Sequence, residues 1–341
     1  MRLLLLIDKK PGHFHQTEGI GRVVSRIDPA TVLDRLEVRQ RWLAHNAVLM
    51  HLMRRPRDPA TWLRRLYGID LAAVVKPDAV VSSGRPTIAA GILLSRHFGV
   101  PFVYSGKVTG YDPRAVTLQL VASPRYGGDV GCAWTPVPTK IEPEAYPPPR
   151  PLRSVADLAG ADLALLIGGE AHGHHYTTAE WTDLAAFVGA SADRLGIRWH
   201  VSTSRRSPDF LGDLFARLEA EGRLAEFVDY RKAQAGSADR LYGCDAVVVT
   251  EDSVSMLSEA QAARRPVMAL KPAAVEDSSA NEAIAALAGA GGLAIMPLAG
   301  LDPDRFARTL VRLAPTRAPD PRDLIAEAIA PVLGLALPER G

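Results

Sequence analysis

The side chains best suited to chemistry in this sequence sit just after short apolar runs. The first run, Leu3–Ile7, leads into Asp-Lys-Lys-Pro-Gly-His-Phe-His-Gln. That order sets Gly12, His13, His15 and Gln16 ahead of a helical pattern with Ile20, Val23, Val24 and Ile27 on one side. Gly12 permits an unusual backbone or the close approach of a ligand. A neutral imidazole in such a place, His13 above all, can take a proton from a hydroxyl near neutral pH. The competing reading is a partly exposed loop histidine. A second run ends in Leu-Leu-Ile-Gly-Gly-Glu-Ala-His-Gly-His-His, where Gly168 and Gly169 would let backbone amides reach an anion. His172, His174 and His175 fall within four residues, but no cysteine or second histidine cluster completes a zinc ligand set. They are read as solvated or ligand-facing, and no metal is expected.

A third run, Val247–Val249, opens onto Thr-Glu-Asp-Ser-Val-Ser-Met-Leu-Ser-Glu. A helix from about Ser253 would bury Met256, Leu257, Ala260 and Ala263 and leave Asp252, Ser255 and Glu259 on another stripe. The hydroxyls of Ser253 and Ser255, with the free amides of a helix start, suit a phosphate. Glu259, one turn deeper, suits the two hydroxyls of a ribose. The alternative is a capped helix with a polar solvent face. Glu251 and Asp252 argue against a phosphate unless a lysine, an arginine or water offsets them. Two further pieces follow apolar runs: Gly84 and Arg85 after Ser82-Ser83, and Ser204, Arg205 and Arg206 after His-Val-Ser-Thr. The planar fork of arginine binds phosphate well, although surface arginines are common.

These groups need strands to present them. Leu3–Ile7, Ala79–Ser82, Pro101–Tyr104 and Thr117–Ala122 read as strands in the first half. Leu163–Ile167, Trp199–Thr203, Ala246–Thr250 and Pro266–Leu270 do so in the second. Between them, stretches such as Thr87–Phe98, Thr178–Leu195 and Ser253–Ala263 carry helical spacing. Thr177 and Glu180 have the spacing of a capping box, which starts that helix near Thr178. Alternation of this kind predicts an α/β protein with parallel sheets flanked by helices, and doubly buried strands are expected to be almost wholly apolar. In such sheets ligands gather beyond the carboxyl ends of the strands.

Length and composition agree. A chain of 341 residues favours about two domains. Five prolines between Pro143 and Leu152 forbid a helix or a central strand and mark the linker. The expected boundaries are 1–145 for the first domain, 146–152 for the linker and 153–315 for the second domain. A C-terminal helix within 316–341 is a candidate to cross back to the first. The net charge of +2 gives no strong field for nucleic acid. Two cysteines make neither a disulfide framework nor a zinc pattern, which suits a reduced, cytoplasmic compartment. The first apolar run is too short for a signal peptide, and no stretch approaches the ~18 apolar residues of a membrane span. Membrane contact would have to be peripheral. One candidate is Arg41–Tyr67, which mixes Trp42, Leu43, Met50, Leu52, Met53, Trp62 and Leu66 with arginines. Such a mixture suits an anionic lipid surface, but an ordinary helix packed on the sheet explains it better.

Taken together, Asp-Lys-Lys-Pro-Gly-His-Phe-His-Gln-Thr-Glu-Gly, Gly-Arg-Pro-Thr, Leu-Leu-Ile-Gly-Gly-Glu, Thr-Ser-Arg-Arg-Ser-Pro and Val-Val-Thr-Glu-Asp-Ser-Val-Ser-Met-Leu-Ser-Glu-Ala resemble the mitochondrial-fission "elongated mitochondria" family. The resemblance covers nearly the whole chain, and the Asp-Ser-Val-Ser-Met-x-Ser-Glu-Ala element is its most specific part. Lys9 stands where the family commonly has glycine. Bacterial members of that family are held to be glycosyltransferases of unknown specificity. More distantly, the order of elements is similar to the GT-B enzyme that adds N-acetylglucosamine to the peptidoglycan lipid precursor. The resemblance implies two Rossmann-like domains facing a cleft, an acceptor domain first and a nucleotide-sugar domain second. It matches His13 to the base region, Ser253 and Ser255 to the phosphate-side helix start, and Glu259 to the ribose-binding glutamate. Gly168, Gly169, Ser204, Arg205 and Arg206 would complete the donor side, and Gly12, Gln16, Gly84 and Arg85 the acceptor side. No cofactor is implied beyond a nucleotide-sugar as co-substrate; the acceptor is unknown, with a lipid-linked one among the candidates. Two other readings share the architecture: a partner-binding scaffold, as in organelle fission, and a nucleotide-sugar epimerase, which needs a paired acid and base not found in the sequence.

Overall fold

The computed structural model describes residues 1–41, 49–51, 53, 58–233, 238–314 and 319–337. The chain divides into two compact units, Met1–Lys140 together with Pro321–Gly341, and Ile141–Asp320.

In the first unit, β1 (Arg2–Ile7), β2 (Val32–Glu37), β3 (Ala79–Ser83), β4 (Phe102–Ser105), β5 (Leu118–Val121) and β6 (Cys132–Trp134) form one parallel sheet. Its order is β2-β1-β3-β4-β5-β6. Successive side chains of a strand point to opposite faces, and the cores follow that rule. Leu3 and Leu5 join Ile20, Val23, Val24, Val81 and Ile329 on one face, whereas Leu4 and Leu6 join Val80, Leu63, Ile92 and Phe102 on the other. The first face is covered by α1 (Pro11–Ile27) and the second by α2 (Pro59–Tyr67) and α3 (Ile88–Phe98). Burying a leucine on either face stabilises the fold by about 1.5–3 kcal/mol.

Among the apolar residues expected as a lipid-facing set, Met53 and Leu66 are buried in this unit's second core, and Met50 and Trp62 pack against it. These four have their apolar surface turned inward, as a helix packed on a sheet requires. Trp42, Leu43 and Leu52, with Arg54, Arg55 and Arg57, lie outside the described residues. No helix among the described residues is long and apolar enough to cross a membrane.

The second unit repeats the architecture. Here β7 (Asp162–Leu166), β9 (Arg198–Ser202), β10 (Glu226–Val228), β11 (Ala246–Thr250), β12 (Val267–Lys271) and β14 (Leu293–Pro297) pair in parallel, in the order β10-β9-β7-β11-β12-β14. A separate antiparallel pair joins β8 (His174–His175) to β13 (Ala274–Val275). The helices are α4 (Thr178–Leu195), α5 (Phe210–Ala220), α6 (Val254–Ala262), α7 (Ser279–Gly289) and α8 (Pro303–Leu313). Val248 and Met268 face Trp181, Trp199 and Phe306 on one side; Val247, Val249 and Ala269 face Leu257, Ala260 and Ile284 on the other. The start of α4 carries both halves of its capping box: the Thr177 hydroxyl accepts from Glu180 N, and Glu180 Oε2 accepts from Thr177 N at 2.8 Å. Gly196, at φ 67°, ends the helix.

The last helix, α9 (Pro321–Leu333), belongs to the first unit. Ile325, Ala326 and Ile329 pack on the α1 face of that sheet, and Asp323 accepts an ion pair from Arg26.

All eight expected strands are present, within one residue at each end. The four further strands of the two sheets, β2, β6, β10 and β14, are the edges of each sheet. An edge strand is covered less fully, so it lacks the continuous apolar run that marks a central one. Every residue of β2, Val-Leu-Asp-Arg-Leu-Glu, is exposed or half-buried.

Candidate functional site

In the first unit, the chemistry gathers at the carboxyl ends of β1, β3 and β4. His13 lies in the first turn of α1, because Pro11 starts that helix two residues earlier; it is not a loop residue. Proline fits there, since its missing N–H has no intrahelical partner anyway. Asp8, which directly follows β1, is only 9% exposed. Its carboxylate accepts from Lys10 N at 2.9 Å and contacts His13 Nδ1 at 2.6 Å. A carboxylate only accepts, so a ring N–H belongs on Nδ1, and in the neutral imidazole the lone pair is then on Nε2. The imidazole is seated over Gly84, where a Cβ would meet Nδ1 at 2.1 Å, and Gly84 itself has φ 88°. Both facts demand glycine at that turn.

The other acceptor-side residues have different places. Gln16 Oε1 accepts from Ser83 Oγ at 2.7 Å and from Ser105 Oγ at 2.9 Å, which ties α1 to the ends of β3 and β4. Its carbonyl therefore positions the helix. Gly12 sits in ordinary helix, which corrects the expectation of an unusual backbone, and a Cβ there would meet nothing of this chain within 4 Å. Neither backbone strain nor a close contact requires glycine at Gly12. Arg85 is exposed beside the His13 turn, and burial holds the nearby Tyr104 hydroxyl above the usual tyrosine range.

In the second unit, the loops after β7, β9 and β11 are locked together around Asp252. This side chain is buried. Its Oδ2 accepts from Gly169 N at 3.1 Å and from Arg206 Nη2 at 2.6 Å, and its Oδ1 from Tyr176 OH at 3.2 Å. Gly168 N donates to Thr250 Oγ1 at 2.7 Å. The amides of Gly168 and Gly169, expected to hold a ligand anion, thus already have acceptors from this chain. The glycines are needed for another reason: a Cβ at Gly168 would lie 2.1 Å from Asp252 Oδ2, and one at Gly169 would lie 2.1 Å from Arg206 O.

Arg206 and Ser204, expected on the donor side, likewise have partners within this chain. Arg206 is the basic partner that Asp252 needs. Ser204 Oγ donates to Gly168 O at 2.9 Å and accepts from Arg206 N at 3.2 Å, so it shapes the loop. Arg205 is exposed and has no hydrogen bond or ion pair with a described residue. Glu251 turns inward as well, with its Oε2 3.4 Å from His174 Nε2. His174 Nδ1 lies 3.2 Å from Ala171 O. His172, at φ 54°, is held below the usual histidine range by desolvation and by the charge of Arg206.

Helix α6 begins at Val254 with Ser253 at its N-cap, and the Ser253 side chain makes no capping bond. The first amides of the helix therefore lack a side-chain acceptor. Ser255 is half-buried in that first turn. Glu259 is 9% exposed, and its Oε2 accepts from Tyr242 OH at 2.5 Å. One carboxylate oxygen expected to face a ribose thus has a protein donor. The sequence reading did not single out Asp8, Thr250, Tyr176 or Tyr242. Asp8 alone left a signal, an acidic residue at a strand end five positions before a histidine.

The sequence pattern described as "Mitochondrial fission ELM1" matches residues 11–305. The chain belongs to the mitochondrial fission ELM1 family. No curated protein matches it by sequence. Among solved structures, UDP-GlcNAc 2-epimerase from Methanocaldococcus jannaschii superposes with a TM-score of 0.55 at 11% identity, over 98% of this chain and 99% of that one. MnaA of S. aureus, solved with UDP, gives 0.52 at 11% identity over 98% and 97%. MurG of Acinetobacter baumannii gives 0.46 at 14% identity over 99% and 96%. The two parallel-sheet units and the likenesses to the M. jannaschii epimerase and to MnaA define a GT-B fold.

Proposed function

We propose that this chain is a glycosyltransferase that moves a sugar from a nucleotide-sugar to an acceptor hydroxyl. The observation that carries the reading is the Asp8–His13 pair seated over Gly84. Asp8 holds the ring so that Nε2 presents its lone pair. His13 then takes the acceptor's proton as its oxygen attacks the anomeric carbon. The bond from that carbon to the diphosphate oxygen breaks, and the nucleoside diphosphate leaves. On the donor side, the uncapped start of α6 with Ser253 and Ser255, and the unpaired Arg205, support binding and stabilisation of the diphosphate. Asp252 keeps those loops in register, and Glu259 shares its hydrogen-bonding capacity between Tyr242 and a ribose.

Calorimetric titration with UDP, ADP, GDP and CDP tests the donor half. Binding of one of them, weakened at least tenfold by Ser253→Pro, is the expected result. Folded protein that binds none of the four refutes it. A second reading, a partner-binding scaffold on this fold, is favoured by one observation: the Gly168 and Gly169 amides are satisfied internally. His13→Ala and Glu259→Ala separate the two, since both abolish transfer but spare partner recruitment.

A further inference from the structure

The second unit contains a half-open cavity of about 670 Å³ at the amino end of β12. Thr250–Ser253 lie at the opposite, carboxyl end of the same parallel sheet. It is lined by the proline-rich segment, with Tyr146, Pro147 and Pro149, and by the turn after α6, with Arg264 and Arg265. Arg150 and Arg153 also line it, so its lining holds four arginines and two acidic residues, Glu144 and Asp320.

Arg265 is the unusual member. It is 4% exposed. Its Nε donates to Tyr242 O at 2.9 Å and its Nη2 to Pro147 O at 2.6 Å. Nη1 is buried with no hydrogen-bond partner among the described residues. No described carboxylate forms an ion pair with this guanidinium. Asp245, the carboxylate that acts on it most, accepts from the backbone N–H groups of Arg150 and Asp162 instead. Burial holds Arg265 below the usual guanidinium range. A buried cation with neutral acceptors alone is costly, and an anion nearby that supplies the opposite charge relieves part of the cost. The Arg264 side chain is half-exposed and pairs with Asp320 at 3.0 Å, so its charge is partly offset. Arg153 is exposed, and its side chain has no ion pair with a described residue. The volume lies in the range of sites for small organic molecules. The proline and tyrosine wall offers an apolar surface beside the cations.

We infer that this cavity is a second ligand site, which binds a small organic anion through Arg265 and Arg153 and packs the organic part on Tyr146 and the prolines. Phosphate and carboxylate both match the guanidinium fork, and the test separates them. Purified full-length protein is titrated calorimetrically with glucose 6-phosphate, UMP, citrate and inorganic phosphate. At least one organic anion is expected to bind, with Arg153→Glu weakening it tenfold or more and His13→Gln leaving it unchanged. Arg265→Met is expected to abolish binding; where that variant does not fold, Arg153→Glu decides. UMP binding that is weakened by Ser253→Pro but not by Arg153→Glu belongs to the donor side and counts against this site. Failure of all four probes to bind, or binding untouched by both arginine substitutions, overturns the inference. The inference does not depend on transferase activity, since its readout is binding at the other end of the sheet.

Discussion

Replacing Gly84 by alanine tests the placement of His13 directly. A Cβ at this position would lie 2.1 Å from His13 Nδ1 and 2.5 Å from Cε1, whereas ordinary contact begins at 3.4 Å. The ring must retreat by about 1.3 Å, the difference between 3.4 and 2.1 Å. The Nδ1–Asp8 separation of 2.6 Å then opens beyond hydrogen-bond range. The backbone adds strain of ~1–3 kcal/mol, because φ 88° suits glycine alone. The variant is expected to fold, since the clash falls on a side chain that is free to swing away. It loses the Nδ1–H tautomer preference in long-range ¹⁵N imidazole spectra. Transfer falls by about 10²-fold, as expected for a base misplaced by ~1 Å. Asp8→Asn changes the same resonances without the steric clash and serves as comparison. A Gly84→Ala protein with unchanged imidazole resonances, or with wild-type transfer, refutes the seating of the ring and its role as base.

Three further outcomes follow from the geometry. Asp252→Ala leaves Arg206 Nη2, Tyr176 OH and Gly169 N without their acceptor, and costs ~3 kcal/mol in urea unfolding; a loss below ~1 kcal/mol would show that the three loops do not depend on it. Arg205→Ala, by contrast, leaves the unfolding midpoint unchanged and weakens nucleoside diphosphate binding about tenfold, read by calorimetry. The third concerns alkaline pH. Burial pushes the Cys244 thiol up from 9.0 to about 12. The unfolded chain therefore ionises this thiol first. Its contribution is fully present below pH 9 and is lost as pH rises through 9 to 12, by at most ~1.4 kcal/mol per pH unit. Cys244→Ala should flatten that decline in denaturation midpoints between pH 8 and 10.5, and an identical slope in both proteins contradicts it.

Much of the architecture was legible because it rests on local rules. Val-Val-Val and Leu-Leu-Leu-Leu announce strands buried on both faces, and Thr177 with Glu180 announces the start of α4. Edge strands escaped because their residues meet solvent and the apolar signal is broken. Position in the chain also located the loops that carry the candidate site, since ligands gather at strand carboxyl ends in such sheets.

Which groups within those loops are free was not legible. The sequence supplied Gly168, Gly169, Ser204, Arg206 and Asp252 as types; the fold decided that they bind one another. Asp252 meets partners 46, 76 and 83 positions away. Asp8 faces His13 only because a strand end and a helix start converge there, and the ring fits only because Gly84, far along the chain, offers no side chain. Arg265 reads as one of many arginines until the proline segment folds across it and strips away its water. The sequence by itself determined the central strands, the start of α4 and the resemblance, because burial period and capping are set by neighbours along the chain. Only the tertiary structure decided which donors, acceptors and charges remain unpaired, because pairing depends on distances that no local pattern encodes.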